Sequence, residues 1–356
     1  MSNKIIAQNN IKYSIDLKKR TAQIIRCNSE SLEIHVPYSI KYESNEYIIT
    51  SILGYAFQNA PAKSIQFAPN SNIKIIEVGA FSNSSIESIT IPSQTTQIDD
   101  FVFIDCLQLK QIQLTNNSKL KKIGSYAFTN TQIESITITS QLTELIKEWC
   151  QGLSKLNKVK VSPENLRYRC IDDKMIIGKS SMEKENYDCL IFCVRNIKTV
   201  KIPDFIERIC PYAFENCKQL QRIEFSKNSK LEIIDDHSFS KSSLENITIP
   251  SSVTKIGMFA FFNCDKFQQI EISEKSKLQM IDTHAFGNSF IESITIPSDV
   301  ENIKNGAFSI CKKLQIIEIG ENSKLNCITN SLFSNCHNCI LMIPVHLNKI
   351  IPKKNI

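Results

Sequence analysis

Apolar and polar residues alternate in short bursts along this chain, and the bursts recur. Ile291–Phe308, IESITIPSDVENIKNGAF, holds one full pattern. Its opening returns as IESITI at Ile86–Ile91 and Ile133–Ile138 and as LENITI at Leu244–Ile249. Its close, a small residue followed by Phe, returns at Phe57, Phe81, Phe128, Phe214, Phe261 and Phe286; Phe103, Phe239 and Phe333 end looser copies, and Trp149 takes the place once. In L-x-x-I-x-I every second side chain is apolar, the signature of a strand with one buried face. Ile89 and Ile91 should point inward and Thr90 outward, with the Phe closing the far side of the coil. One coil cannot bury such a face alone, whereas stacked coils can. The pattern predicts a solenoid: a right-handed stack of coils with a parallel β-sheet on its concave face and few or no long helices.

From Phe214 to Phe333 the Phe steps alternate between 25 and 22 residues, so two unit types alternate. The short type reads I-E-S-I-T-I-P-S-x-V-x-x-I. The long type, L-x-x-I-x-I-x-x-N-S-K-L-x-x-I, is seen in Leu314–Ile328 and has a longer turn after its strand. Residues 1–50 depart from the period and read as an N-terminal cap, with Ile11–Ile15 and Ala22–Arg26 as a hairpin and Leu32–Val36 as a first repeat-like strand. Repeat blocks follow at 51–162 and 197–337. Between them 163–196 reads as an inserted hairpin, with Leu166–Ile177 and Tyr187–Val194 as strands and the polar 178–186 as the turn. Residues 338–356 read as a C-terminal cap and tail.

The repeat resembles that of the BspA-like leucine-rich repeat proteins, whose unit reads L-x-x-I-x-I-P-x-S-V-x-x-I-G-x-x-A-F-x-x-C. Ile247–Cys264, ITIPSSVTKIGMFAFFNC, follows it almost position by position, and the likeness extends from about Leu32 to Pro344. The resemblance implies a leucine-rich repeat fold, display as a surface antigen, adhesion and binding of host proteins.

Thirteen cysteines are present. Cys106, Cys217, Cys264, Cys311 and Cys336 all stand three residues after a repeat Phe, where other coils carry Ala60, Ser84, Thr131, Ser242 or Ser289. The position asks for a small side chain, and buried thiols serve as one. Repeat-locked spacing and an odd count predict reduced thiols rather than a disulfide framework. Cys311 and Cys336 fall on adjacent coils, within reach of a disulfide.

The formal charge is +6, and Lys and Arg are scattered without a run, which argues against nucleic acid as a partner. The longest apolar run, CLIFCV at Cys189–Val194, is far below the ~20 residues that span a bilayer. The first eight residues lack the apolar stretch of a signal peptide. Sequence alone therefore points to the cytoplasm, and family resemblance to the cell surface. No nucleophile elbow, Walker loop or H-E-x-x-H is present, so the sequence assigns no enzymatic activity, no catalytic residue, no cofactor and no metal. His237 and His284, at one repeat position, stand too far apart for one zinc, and Cys336-His337-Asn338-Cys339 is a lone C-x-x-C. Asn83, Asn116 and Asn246 head N-glycosylation sequons.

What remains is a binding surface. The outward strand column runs Gln66, Thr90, Gln113, Thr137, Lys160, Lys201, Glu224, Thr248, Glu271, Thr295, Glu318 and Met342, basic beside the insertion and acidic later. The insertion concentrates Arg167, Tyr168, Arg169, Tyr187, Phe192 and Arg195, residue types enriched at interface hot spots. The sequence thus predicts a monomer that binds a protein partner, with Arg167, Tyr168, Arg169, Tyr187, Lys160, Lys201, Glu224, Glu271 and Glu318 as candidate contacts. The alternative is an intracellular interaction scaffold.

Overall fold

The computed structural model describes residues 3–345 and 347, apart from 116, 327, 329, 337 and 338. The sequon at Asn116, the His337-Asn338 half of the C-x-x-C stretch and nearly all of the tail after 345 lie outside the described residues. The chain divides into two units, Met1–Asp173 and Lys174–Ile356, each a stack of coils.

In the first unit Ile11–Asp16 and Thr21–Cys27 form the expected antiparallel hairpin. Asn3–Gln8 adds a further antiparallel strand that the polar sequence around it did not announce. Thr21–Cys27 then pairs in parallel with Asn45–Ile52, and the coil ladder starts there. Six parallel strands form the strand face: Glu33–Val36, Ser64–Phe67, Ser88–Ile91, Gln111–Leu114, Ser135–Ile138 and Lys158–Val161. Alternation holds as the pattern requires: Ile89 is 2% and Ile91 0% exposed, while Thr90 is exposed. Each coil also contributes a two-residue strand to a second parallel ladder, Ile75–Ile76, Gln97–Ile98, Lys122–Ile123 and Glu144–Leu145.

The second unit repeats this plan. Thr199–Lys201 pairs with Arg222–Glu224, and Asn246–Ile249, Gln269–Ile272, Ser293–Ile296, Ile316–Ile319 and Ile340–Met342 form a five-stranded sheet. The only helical element among the described residues is the short 3-10 turn Asn330–Phe333. The stretch 166–177, read from sequence as one strand, is two, Tyr168–Ile171 and Met175–Gly178. Asp172 and Asp173 between them both take positive φ (51° and 53°), which ends a strand. Met175–Gly178 runs antiparallel to Cys189–Cys193. Cys189–Cys193 in turn pairs in parallel with Arg208–Ile209 and so opens the second unit's two-residue ladder.

The turns explain the two repeat lengths. In the short type the Pro carbonyl closes a tight turn, Pro250 O accepting from Val253 N at 3.0 Å and Pro297 O from Val300 N at 3.2 Å. In the long type a Ser caps the extra residues, its Oγ accepting from the backbone N–H two residues on: Ser229 from Leu231 at 3.3 Å, Ser276 from Leu278 at 3.1 Å and Ser323 from Leu325 at 3.2 Å.

The core is a column of stacked rings in each unit. Phe57, Phe81, Phe103 and Phe128 follow one another at centroid steps of 5.0, 5.2 and 5.9 Å. Phe214, Phe239, Phe261, Phe286 and Phe308 do so at 5.0, 5.1, 5.3 and 5.5 Å. Each Phe buried whole contributes about 1.5–3 kcal/mol of transfer free energy, with ring packing adding roughly 0.5–1.5 per pair. The backbone on this side also bonds coil to coil, Phe81 N donating to Val102 O at 2.9 Å and Phe261 N to Ala285 O at 2.7 Å. This meets the requirement that buried amides find partners.

Candidate functional site

Every coil leaves one row of strand side chains uncovered. In the first unit Gln66, Thr90, Gln113, Thr137 and Lys160 are exposed, Thr90 standing across from Gln113 and Thr137 across from Lys160. In the second unit Lys201, Glu224, Thr248, Glu271, Thr295 and Glu318 are exposed, in register as Lys201–Glu224, Thr248–Glu271 and Thr295–Glu318. The Thr hydroxyls donate to their neighbours' carboxylates, Thr248 Oγ1 to Glu271 Oε2 at 2.8 Å and Thr295 Oγ1 to Glu318 Oε2 at 3.3 Å. Those bonds hold the two carboxylates upright on the sheet. Glu245 and Glu292 are exposed on the adjoining column. Apart from Lys201 and Lys198 at its start, the two columns of this face carry no basic side chain up to Glu318, and the one cation beside them on this stretch of strand, Arg222, pairs with Glu224 (Nε to Oε1, 3.3 Å). The face presents a row of negative charge on a rigid, evenly spaced support.

The residues of 163–196 divide between inside and outside. Tyr168 is 3% exposed, and its hydroxyl donates to Thr143 O at 3.3 Å and accepts from Leu145 N at 3.0 Å. Its ring is committed to the first unit's interior, which removes it from the candidate contacts. Phe192 (0%) and Arg195 (3%) are likewise buried. The Arg195 guanidinium sits 4.4 Å over the Phe192 ring and donates to Ala213 O at 2.9 Å and Tyr212 O at 3.1 Å. It ties the start of the second unit to its first Phe turn. Arg169 is exposed; Arg167 and Tyr187 are half-buried, with Lys179 Nζ 5.7 Å from the Tyr187 ring centroid.

The loop between Gly178 and Cys189 is organised by Asp188. Its carboxylate accepts from Ser180 N at 2.7 Å, Ser180 Oγ at 2.6 Å and Lys184 Nζ at 2.6 Å; Lys184 also reaches Glu207 at 2.7 Å. Burial pushes the Asp188 carboxyl up, but its bonds to Lys184 and Ser180 outweigh that and hold it below its ordinary value. The exposed tip Ser181–Asn186 is therefore presented on a fixed base.

The side of the Phe turns shows an arrangement that sequence reading missed. Two positions per coil take left-handed backbone, one two residues before the Phe and one two after. The later one is Asn in most coils, Asn59 (φ 59°), Asn83 (60°), Asn130 (59°), Asn216 (58°), Asn263 (61°), Asn288 (52°) and Asn335 (63°), with Asp105 (58°), Lys241 (59°) and Ile310 (62°) in three others. Asn tolerates this region, and the recurrence of Asn at that fixed offset was a usable signal. The earlier position builds a second ring stack in the second unit: Tyr212–His237 at 4.9 Å, His237–Phe259 at 4.9 Å and Phe259–His284 at 5.1 Å. In the first unit Phe101 stacks on Tyr126 at 5.1 Å. The shared offset of His237 and His284 thus reflects ring packing, with Phe259 between them.

Three residues after the Phe the small-residue column is buried from Ala60 to Cys311, and its thiols donate. Cys106 Sγ gives its proton to Phe81 O at 3.0 Å, Cys264 to Phe239 O at 3.1 Å and Cys311 to Phe286 O at 3.0 Å. Burial pushes the Cys106 and Cys264 thiols up to about 11, so they remain protonated donors. Among the described residues no group of three or more His, Cys, Asp or Glu is placed to hold a metal, and no helix is long and apolar enough to cross a membrane.

No curated protein sequence matches this chain. Solved structures share the fold. The pneumococcal vaccine antigen PcpA superposes with a TM-score of 0.73 at 19% identity, over 99% of both chains. A leucine-rich cell surface protein from Faecalibacterium prausnitzii gives 0.62 at 20% identity over the whole of both chains. A leucine-rich repeat protein from Bacteroides ovatus gives 0.56 at 22% identity, over 94% of this chain and 92% of the other. The model of the BspA type leucine-rich repeat region matches residues 38–157, 163–246, 187–314 and 232–353. With its repeats covered almost throughout, the chain belongs to the BspA-type leucine-rich repeat family.

Proposed function

We propose that this protein is a non-enzymatic binding protein of the surface-antigen kind, which takes a basic segment of a partner protein on the strand face of its second unit. The observation that carries the reading is the row Glu224, Glu271 and Glu318, exposed at every second coil and flanked by Glu245 and Glu292. Two coils separate successive members, about 9–10 Å, near one Debye length at physiological salt. Lys and Arg spaced along an extended chain match such a row without the row having to rearrange. Arg167, Arg169, Tyr187 and Lys160 are secondary candidates, since they border the segment that breaks the repeat. Surface display is supported by likeness: relatives of the same fold are described as a vaccine antigen and a cell surface protein.

A second reading, an intracellular scaffold, is favoured by the buried thiols, which donate S–H bonds available only in the reduced form. Antibody staining of intact against permeabilised source cells separates the two. Signal on intact cells supports display, and signal only after permeabilisation supports the scaffold. For the loop, replacing Met182, Glu183, Glu185 and Asn186 by Gly or Ser, with Ser180 and Lys184 kept as the donors to Asp188, should leave the fold intact and reduce partner recovery. Unchanged recovery takes the loop out of the binding surface.

A further inference from the structure

Along the small-residue column, side chains of adjacent coils touch. Ser84 Oγ lies 3.3 Å from Cys106 Sγ, Ser242 Oγ 3.5 Å from Cys264 Sγ, and Ser289 Oγ 3.6 Å from Cys311 Sγ. The next step of the same column places Cys336 beside Cys311, and there the two neighbours are both thiols. The two thiols lie close enough to shift one another's acidity. Both residues also meet one carbonyl: Phe308 O accepts from Cys311 N at 3.4 Å and from Cys336 Sγ at 2.9 Å. Adjacent coils in such a stack are about 4.8 Å apart, inside the roughly 4.4–6.8 Å between α-carbons that a disulfide spans.

We infer that Cys311 and Cys336 form a thiol–disulfide site, which a small-molecule disulfide of the glutathione class oxidises to a covalent staple between the last two coils. The two sulfurs are unequal in a way that orders the reaction. Cys336 is half-buried and Cys311 is fully buried. The contact with Cys311 holds the Cys336 thiol below its ordinary value, while the same contact and burial hold Cys311 above it. Cys336 is then the thiolate that attacks one sulfur of the oxidant, forming a mixed disulfide and expelling the first thiolate. Cys311 next loses its proton and its sulfur attacks Cys336, expelling the second thiolate, which takes up that proton. Two protein thiols lose two electrons, and the oxidant is reduced to two thiols. Cys339 is the rival partner, three residues from Cys336 along the chain, but it stands off the small-residue column that sets Cys311 beside Cys336. Backbone movement is small because the column already holds the side chains in contact. The staple fixes the coil that carries Glu318 to the strand Ile340–Met342, its neighbour in the sheet. The site does not depend on the partner proposed above.

The test uses the full reduced chain in glutathione buffers of increasing oxidised fraction, quenched by alkylation and mapped by non-reducing peptide mass spectrometry. The expected result is a Cys311–Cys336 cross-linked peptide, lighter by two hydrogens. It should form at ratios where Cys106, Cys217 and Cys264 are still alkylated, and proteolysis after Ser309 should slow about tenfold. In C311S the mixed disulfide on Cys336 should accumulate, and in C336S neither product should form. Serine is already the occupant of this column at Ser242 and Ser289, so both variants keep its packing. A Cys336–Cys339 cross-link in place of the expected one, or Cys311 still fully alkylated after Cys336 has reacted, overturns the inference.

Discussion

The imidazole of His284 lies flat against the α-carbon of Gly306, so that a Cβ built there would stand 2.4 Å from His284 Cε1. Gly306 is the point at which the outer ring stack of the second unit ends, and its φ of +66° adds a backbone reason for glycine. Tyr55 covers Gly79 in the same manner in the first unit, 2.5 Å from the position a Cβ would take. Gly306→Ala should therefore cost about 1–3 kcal/mol, through the left-handed backbone and the displaced His284. Chemical denaturation should show the loss. His284→Ala in the same background should recover part of it, because the clash would be gone and only the backbone strain left.

The inner stack gives a larger effect. Phe286 sits between Phe261 at 5.3 Å and Phe308 at 5.5 Å and is wholly buried. Phe286→Ala should lower stability by about 3–5 kcal/mol. Thermal unfolding identical to wild type would mean that the coil register is wrong.

Arg195 carries a prediction of a different kind. Replacing it by Met keeps much of the stem volume but removes the charged donor from Ala213 O and Tyr212 O, which keep Cys193 N at 3.0 Å and Glu215 N at 3.1 Å. The expected loss is about 1.5–3 kcal/mol, read by urea denaturation.

His237 makes part of the fold's stability depend on pH. Burial between Tyr212 and Phe259 lowers its pKa from the ordinary 6.5, with Asp236 opposing weakly and Lys241 adding to the shift. The unfolded chain then binds the proton more readily than the folded one. This contribution is complete above pH 6.5 and is lost as pH falls below that value toward the folded pKa. Thermal midpoints between pH 7.5 and 5 should fall less for His237→Phe than for wild type. Equal falls would place the pH sensitivity elsewhere.

Much of this was legible in the sequence because stacking makes one local rule serve many times. Ile89, Ile91 and Thr90 announce their faces by alternation alone, and the Phe column follows from spacing. Tyr168, Phe192 and Arg195 were misleading because residue type does not say which way a side chain points. Their type suits an interface, yet Arg195 finds its acceptors on carbonyls of the next coil, near in space only once the stack has formed. The left-handed Asn column was present at constant offset from the Phe but depends on backbone conformation, which hydrophobic patterning does not report. The ring stack of Tyr212, His237, Phe259 and His284 was hidden for a related reason: its members share a shape rather than a polarity.

The central claim is that the second unit's glutamate row binds a basic protein segment. The direct measurement is fluorescence anisotropy of a labelled, extended Lys/Arg-rich peptide titrated with the protein, wild type against Glu224→Gln/Glu271→Gln/Glu318→Gln. These side chains are exposed, so the triple variant should stay folded. The account predicts saturable binding that weakens with salt and falls at least about tenfold in the triple variant, near 0.5 kcal/mol for each charge removed. Binding unchanged by the triple substitution, or no binding of the basic peptide by the wild-type chain, would contradict it.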